Sequence, residues 1–138
     1  MQNAQSDIIR THSRVIADEN GFTYRDLNHN GKLDIYEDPR QPIEARVEDL
    51  LGQMTLDEKA GMLFMNGTGI NDDSSLEAKP GSDGFCGLAL KFMTAHNMNH
   101  INVWGIPEGK VVAAWHNNLQ RFAEQTRLGI PVSIASDP

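Results

Sequence analysis

Five oxygen-bearing side chains stand at regular offsets in one twelve-residue run, Asp26-Leu27-Asn28-His29-Asn30-Gly31-Lys32-Leu33-Asp34-Ile35-Tyr36-Glu37. The run satisfies the calcium-loop pattern D-x-[DN]-x-[DN]-G-x5-E at every specified position. A hard cation takes several oxygens, so Asp26, Asn28 and Asn30 can turn theirs to one point while Gly31 allows the sharp bend. Lys32 would lend only its carbonyl oxygen, Asp34 acts from the ninth position through water, and Glu37 closes the shell with a bidentate carboxylate. The competing reading is an Asx-rich turn that binds nothing. The complete pattern favours structural calcium. The flanks differ from those of a signalling loop, because Glu19-Asn20-Gly21 interrupts the approach and Pro39 follows too closely for a long exit helix. Without two helices to swing, the ion is expected to clamp. Only Asp26, Asp34 and Glu37 bring charge, which argues for a Kd on the order of 10⁻⁴ M, filled outside the cell and largely empty in the cytosol. That points to an exported parent protein, periplasmic or extracellular.

Other residues invite chemistry and do not sustain it. His96 and His100 are four apart, the spacing of a zinc helix, but Asn97 stands where the general-base Glu would be and no third ligand follows. Asp72 and Asp73 are adjacent in a loop, and adjacency does not aim two carboxylates at one bond. The single Cys86 has no disulfide or zinc partner and reads as a small core or loop residue. Gly81 to Gly87 lacks the Gly-Lys-Ser/Thr ending of a phosphate loop. Trp115 lies in a helical apolar stripe and is read as core.

The elements that must position these residues follow from periodicity. Residues 1–21 are polar and aperiodic, a loosely structured arm, and residues 22–40 hold the calcium loop. From Pro42, the residues Ile43, Val47, Leu50, Leu51 and Met54 recur at helical spacing. Thr55 with Glu58 is a capping box, which starts a second helix at about Leu56 and carries it to about Phe64. Residues 66–87 read as a long loop, and Gly87-Leu88-Ala89-Leu90 offers a buried strand, although an apolar run this short does not separate strand from helix. Val111, Trp115, Leu119, Phe122 and Thr126 define a long amphipathic helix. Gly129 and Pro131 stop it, and Val132-Ser133-Ile134-Ala135-Ser136 follows as a strand. A helix feeding a strand that ends at Asp137 is a βα step, and functional residues collect at the carboxyl ends of such strands.

Composition narrows the partners. A net charge of −7 gives no footprint for nucleic acid or anionic lipid, so neither is expected. No apolar run approaches the ~18 residues of a membrane span, and residues 1–14 show no signal-peptide pattern.

Three stretches together resemble the N-terminal region of family 3 glycoside hydrolases. They are Asp26-Leu27-Asn28 through Tyr36-Glu37-Asp38-Pro39, then Arg46-Val47-Glu48-Asp49-Leu50-Leu51 with Met54-Thr55-Leu56-Asp57-Glu58-Lys59, and Asn117-Asn118-Leu119-Gln120 through Ala135-Ser136-Asp137-Pro138. The resemblance implies an α/β fold: the N-terminal part of a (β/α)8 TIM-type barrel preceded by the EF-hand-like calcium loop. A whole barrel needs about 250 residues, so residues 41–138 hold only its beginning. It also implies a retaining exo-acting β-glycosidase, chiefly β-glucosidase, acting on β-linked oligosaccharides or glycosides. The nucleophile Asp and acid/base Glu are expected beyond residue 138, so no catalytic residue is assigned here. Asp137 resembles the family's aspartate that grips hydroxyls of the terminal non-reducing sugar; capping of the next element is the bland alternative. A stand-alone calcium-binding module for adhesion or assembly is the competing function.

Overall fold

The computed structural model describes residues 14–136. Two strands, β1 (Arg14–Ala17) and β2 (Thr23–Asp26), pair antiparallel with Arg14 opposite Asp26. Asp18 closes their connection, its Oδ1 accepting from the N–H groups of Asn20 and Phe22 at 2.9 Å each. After a 3-10 turn at Ile35–Glu37 come helix α1 (Ile43–Gln53) and helix α2 (Leu56–Gly61). The capping box of α2 forms as its sequence dictates, with Glu58 N–H donating to Thr55 Oγ1 at 3.2 Å and Thr55 N–H to Glu58 Oε2 at 2.8 Å. Pro42 sits one residue earlier than the sequence suggests, as the N-cap of α1.

The rest is a βα layer. Strands β3 (Met65–Thr68), β4 (His100–Val103) and β5 (Ser133–Ser136) form a parallel sheet in the order β3-β4-β5. Helix α3 (Leu88–His96) joins the first pair and helix α4 (Gly109–Ala123) the second. The register aligns Thr68 with Val103 and Val103 with Ser136 at the carboxyl edge. The core lies between this sheet and its helices. Trp115 and Leu119 of α4 bury against Ile101 and Val103, and Ala89, Phe92 and Met93 of α3 complete the cluster with Leu76. Each such side chain contributes about 1.5–3 kcal/mol through apolar burial. The described residues therefore form a mixed α/β structure with a parallel sheet and no closed barrel.

Three local expectations are corrected. Residues 66–87 are not all loop, since β3 occupies their start. Leu88-Ala89-Leu90 opens a helix rather than a strand, because the run continues as Leu88-Ala89-Leu90-Lys91-Phe92-Met93 without β-branched residues and ends on Asn97 in the left-handed conformation, φ 52°. Residues 1–21 are not all a loosely structured arm, since Arg14–Ala17 form β1 and pair with β2. His96 and His100, already set aside as a zinc pair, share no helical face, since His96 ends α3 and His100 begins β4. Trp115 is core as expected, 1% exposed. The stop signal after α4 also stands. Gly129 takes φ +58°, and a Cβ there would lie 2.8 Å from Leu27 Cβ, so this turn requires glycine both for its backbone and for its approach to the loop.

Candidate functional site

The loop after β2 is built from the strand outward. Alternation along β2 turns Tyr24 and Asp26 inward, and Asp26 is 1% exposed. Its Oδ2 accepts from Gly31 N–H at 3.1 Å, while its Oδ1 is buried with no hydrogen-bond partner. Asn28 and Asn30 hold the next turns through their side-chain oxygens, Asn28 Oδ1 accepting from Asn30 N–H at 3.1 Å and Asn30 Oδ1 from Lys32 N–H at 2.7 Å. Both amides donate to Asp34 Oδ2 at 2.6 Å. Glu37 folds back across the loop: Oε1 accepts from Leu27 N–H at 2.6 Å, and Oε2 from Asp34 N–H at 3.1 Å. Lys32 is exposed.

Five of the six sequence-selected loop residues thus share one hydrogen-bonded ring, joined to Lys32 through its N–H. The three carboxylates do not meet at a point, and among the described residues no three His, Cys, Asp or Glu side chains gather at metal-binding distance. A partial fit to a cation remains in the chemistry. The donors are all oxygens, one buried carboxylate oxygen is orphaned, and an unmatched buried acceptor costs about 1–3 kcal/mol. Burial governs the neighbouring acidities, and negative charge adds to it. Burial, and then the Asp34 charge, raise the Glu37 carboxyl above its ordinary value, although backbone N–H groups pull the other way. Burial, followed by the Glu37 and Asp34 charges, raises the Tyr36 phenol. Asp38 is apart from this group: Arg40 holds it through hydrogen bonds of 2.7 and 3.0 Å and lowers its pKa to about 2.

Residues that sequence reasoning does not single out tether the loop. Asp49 Oδ2 accepts from Tyr36 N–H at 3.0 Å, and Gln53 Oε1 accepts from Asn28 Nδ2 at 3.3 Å. The two are four apart on α1, the spacing that lets one helix face present a polar pair, and Gln53 donates to Asp49 at 3.1 Å. Tyr36 Oη donates to Leu128 O at 3.3 Å, and His29 contacts Glu124 O at 3.1 Å. The loop is therefore packed on the turn that leads into β5.

The second candidate, Asp137, lies outside the described residues. What is described is its approach: β5 runs to Ser136, paired with Val103. Val132, just ahead of β5, is fixed by Gln120, which accepts from its N–H at 3.0 Å and donates to its carbonyl at 2.7 Å. Asp73 is neutralised locally by Ser75 and Lys79, and these hydrogen bonds lower its pKa.

The described residues thus combine a parallel βα layer that presents strand ends with an oxygen-rich loop ahead of it. No protein-family model matches the chain. Among curated proteins it is 32% identical, over 97% of its length and 20% of the relative's, to the periplasmic beta-glucosidase/beta-xylosidase of Dickeya chrysanthemi. It is 36% identical to the probable beta-glucosidase C of Aspergillus oryzae, over 79% of this chain and 17% of that protein. Beta-glucosidase C of Emericella nidulans is also 36% identical, over 82% of this chain and 17% of its own length. The resemblance to family 3 glycoside hydrolases is borne out: these relatives are β-glucosidases of that type, matched as an N-terminal region of the family would be. The chain spans about a fifth of the length of the curated relatives it matches.

Proposed function

We propose that this chain is the N-terminal part of a retaining exo-acting β-glycosidase, a β-glucosidase in the first instance, that removes terminal non-reducing sugars outside the cytoplasm. The observation that carries this reading is the identity of 32–37% to β-glucosidases over 75–97% of the chain. A relative named as periplasmic supports the location. The β3-β4-β5 layer supports a barrel opening, because parallel strands joined by helices are the units from which such barrels are assembled.

Here the chain's own residues bind and position. The nucleophile Asp and acid/base Glu belong to later sequence. Asp137, following β5, grips neighbouring sugar hydroxyls with its acceptor-only carboxylate. Asp26, Asn28, Asn30, the Lys32 carbonyl, Asp34 and Glu37 hold calcium, with Asp26 Oδ1 the atom most in need of it. When bound, the ion supplies positive charge that lets the loop's carboxylates share one centre. The loop braces Leu27, Tyr36 and His29 against the α4–β5 turn, and so orients the strand that leads to Asp137.

The test is hydrolysis of an aryl β-glucoside by the parent enzyme and by the 138-residue chain. The parent turns over and the chain does not. Asp137→Asn in the parent lowers kcat/KM about 10-fold or more, the loss of a charge-assisted hydrogen bond, with little change in melting temperature. Turnover by the chain itself, or unchanged kinetics in the Asn variant, overturns these assignments.

A further inference from the structure

One face of the sheet packs on the helices, and the other carries none of the core residues. Ile101 and Val103 point to the helices, so alternation sends His100 and Asn102 the other way. The register carries that parity to Met65 and Gly67 on β3 and to Ser133 and Ala135 on β5. None of these six belongs to the hydrophobic core, and Met65 is 55% exposed.

Trp104 continues this second face at the carboxyl edge. Its N–H donates to Thr68 O at 2.9 Å, which extends the ladder by one residue beyond β4. Its side chain lies over Gly67, where a Cβ would fall 2.3 Å from Nε1 and 2.7 Å from Cδ1. A Cβ at residue 67 would therefore push this indole from its seat. Yet Trp104 is 59% exposed, against 1% for Trp115. A core tryptophan buries its ring; this one is seated on one side and open on the other. It follows Val103, whose register partner Ser136 directly precedes Asp137 in the chain.

We propose that Trp104 is a stacking platform for a pyranose ring at the carboxyl edge of the sheet, held in place by the side-chain gap at Gly67. The inference rests on the glycosidase reading above. A pyranose offers one face of C–H groups and a rim of hydroxyls. An open aromatic face at a strand end matches the first, covering the C–H groups while the hydroxyls at the rim stay free for polar partners. The platform sets substrate affinity and takes no part in bond breaking.

The experiment uses the full-length parent enzyme with an aryl β-glucoside, comparing wild type with Trp104→Ala, Trp104→Phe and Gly67→Ala. Trp104→Ala raises KM about 3- to 10-fold with a smaller change in kcat, the range expected for losing one aromatic contact. Trp104→Phe recovers most of the affinity because a ring remains. Gly67→Ala, which leaves Trp104 intact but occupies its seat, raises KM in the same direction. Should Trp104→Ala not fold, Gly67→Ala decides alone, and a KM within about twofold of wild type there overturns the platform. A KM within about twofold of wild type in folded Trp104→Ala and Gly67→Ala enzymes overturns the platform while leaving the glycosidase reading intact. A wild-type parent inert on β-glycosides removes that reading, and the platform with it.

Discussion

The oxygen-rich loop at 26–37 and the βα layer behind β4 are held by different forces. The layer buries Trp115, Leu119, Ile101 and Leu76, all 1% exposed or less, and its stability comes from apolar area removed from water. The loop buries Asp26 and Glu37 instead, and the contacts within it are hydrogen bonds from backbone N–H groups and amides to carboxylate and Asx oxygens. An apolar core tolerates salt and pH and answers to cavities. A polar ring answers to each missing partner and leaves one oxygen, Asp26 Oδ1, unmatched. The loop is thus where a cation can change stability, and the layer is where it cannot.

The largest effect that tests this contrast is Leu119→Ala. A fully buried leucine leaves a cavity, and the expected loss is about 2–5 kcal/mol in urea denaturation, the same with calcium or with chelator. A loss that depends on calcium would mean the two regions are not separate. Next is Glu37→Gln, which weakens the acceptors for the Leu27 and Asp34 N–H groups and should cost about 1–3 kcal/mol. Hydrogen exchange at those two amides should accelerate while exchange in α4 stays unchanged. Calcium titration sharpens the comparison: the parent should bind with a Kd on the order of 10⁻⁴ M and melt higher, magnesium should substitute poorly, and Glu37→Gln should abolish both responses. If chelator leaves the parent's melting temperature unchanged and no binding heat appears, the ring is a turn and nothing more.

The smallest expected effect concerns the link between the halves. Arg127 donates to Glu58 Oε1 at 2.9 Å and to Gln53 O at 2.8 Å, tying the α1–α2 junction to the turn before β5. That hydrogen bond lowers the Glu58 pKa from 4.5 to about 2. A depressed carboxyl pKa contributes stability that is present above 4.5 and is lost as pH falls toward about 2. Arg127 is half exposed, so the contribution is modest. Melting temperature should fall across that window, and Arg127→Leu should flatten the fall.

Legibility in the sequence followed the same division. The α2 capping box, the α4 stripe and the Gly129 stop are local signals, and each is present where its residues require. Strands β3 and β4 were not legible, because each is four residues long and their outward positions carry Asn102, Gly67 and Met65 rather than a clean apolar alternation. Leu88-Ala89-Leu90 was ambiguous for the same reason of length. The loop's membership was readable from spacing, whereas its tethers Asp49 and Gln53 depend on how α1 packs against it, which no local pattern encodes. Trp104 was silent because its meaning lies in Gly67, thirty-seven residues earlier.

Helices α1 and α2 and the turn after them leave Ile43, Val47, Leu51, Leu56 and Leu63 exposed by 41–84%. In solution this makes the 138-residue chain a charge-stabilised colloid. Its surplus of seven negative charges keeps copies apart at neutral pH and low salt. Ionic strength near 0.15 M shortens that repulsion to a Debye length of about 8 Å, and it vanishes near pH 5.1, where the side-chain charges of the sequence balance, so self-association is the expected outcome there.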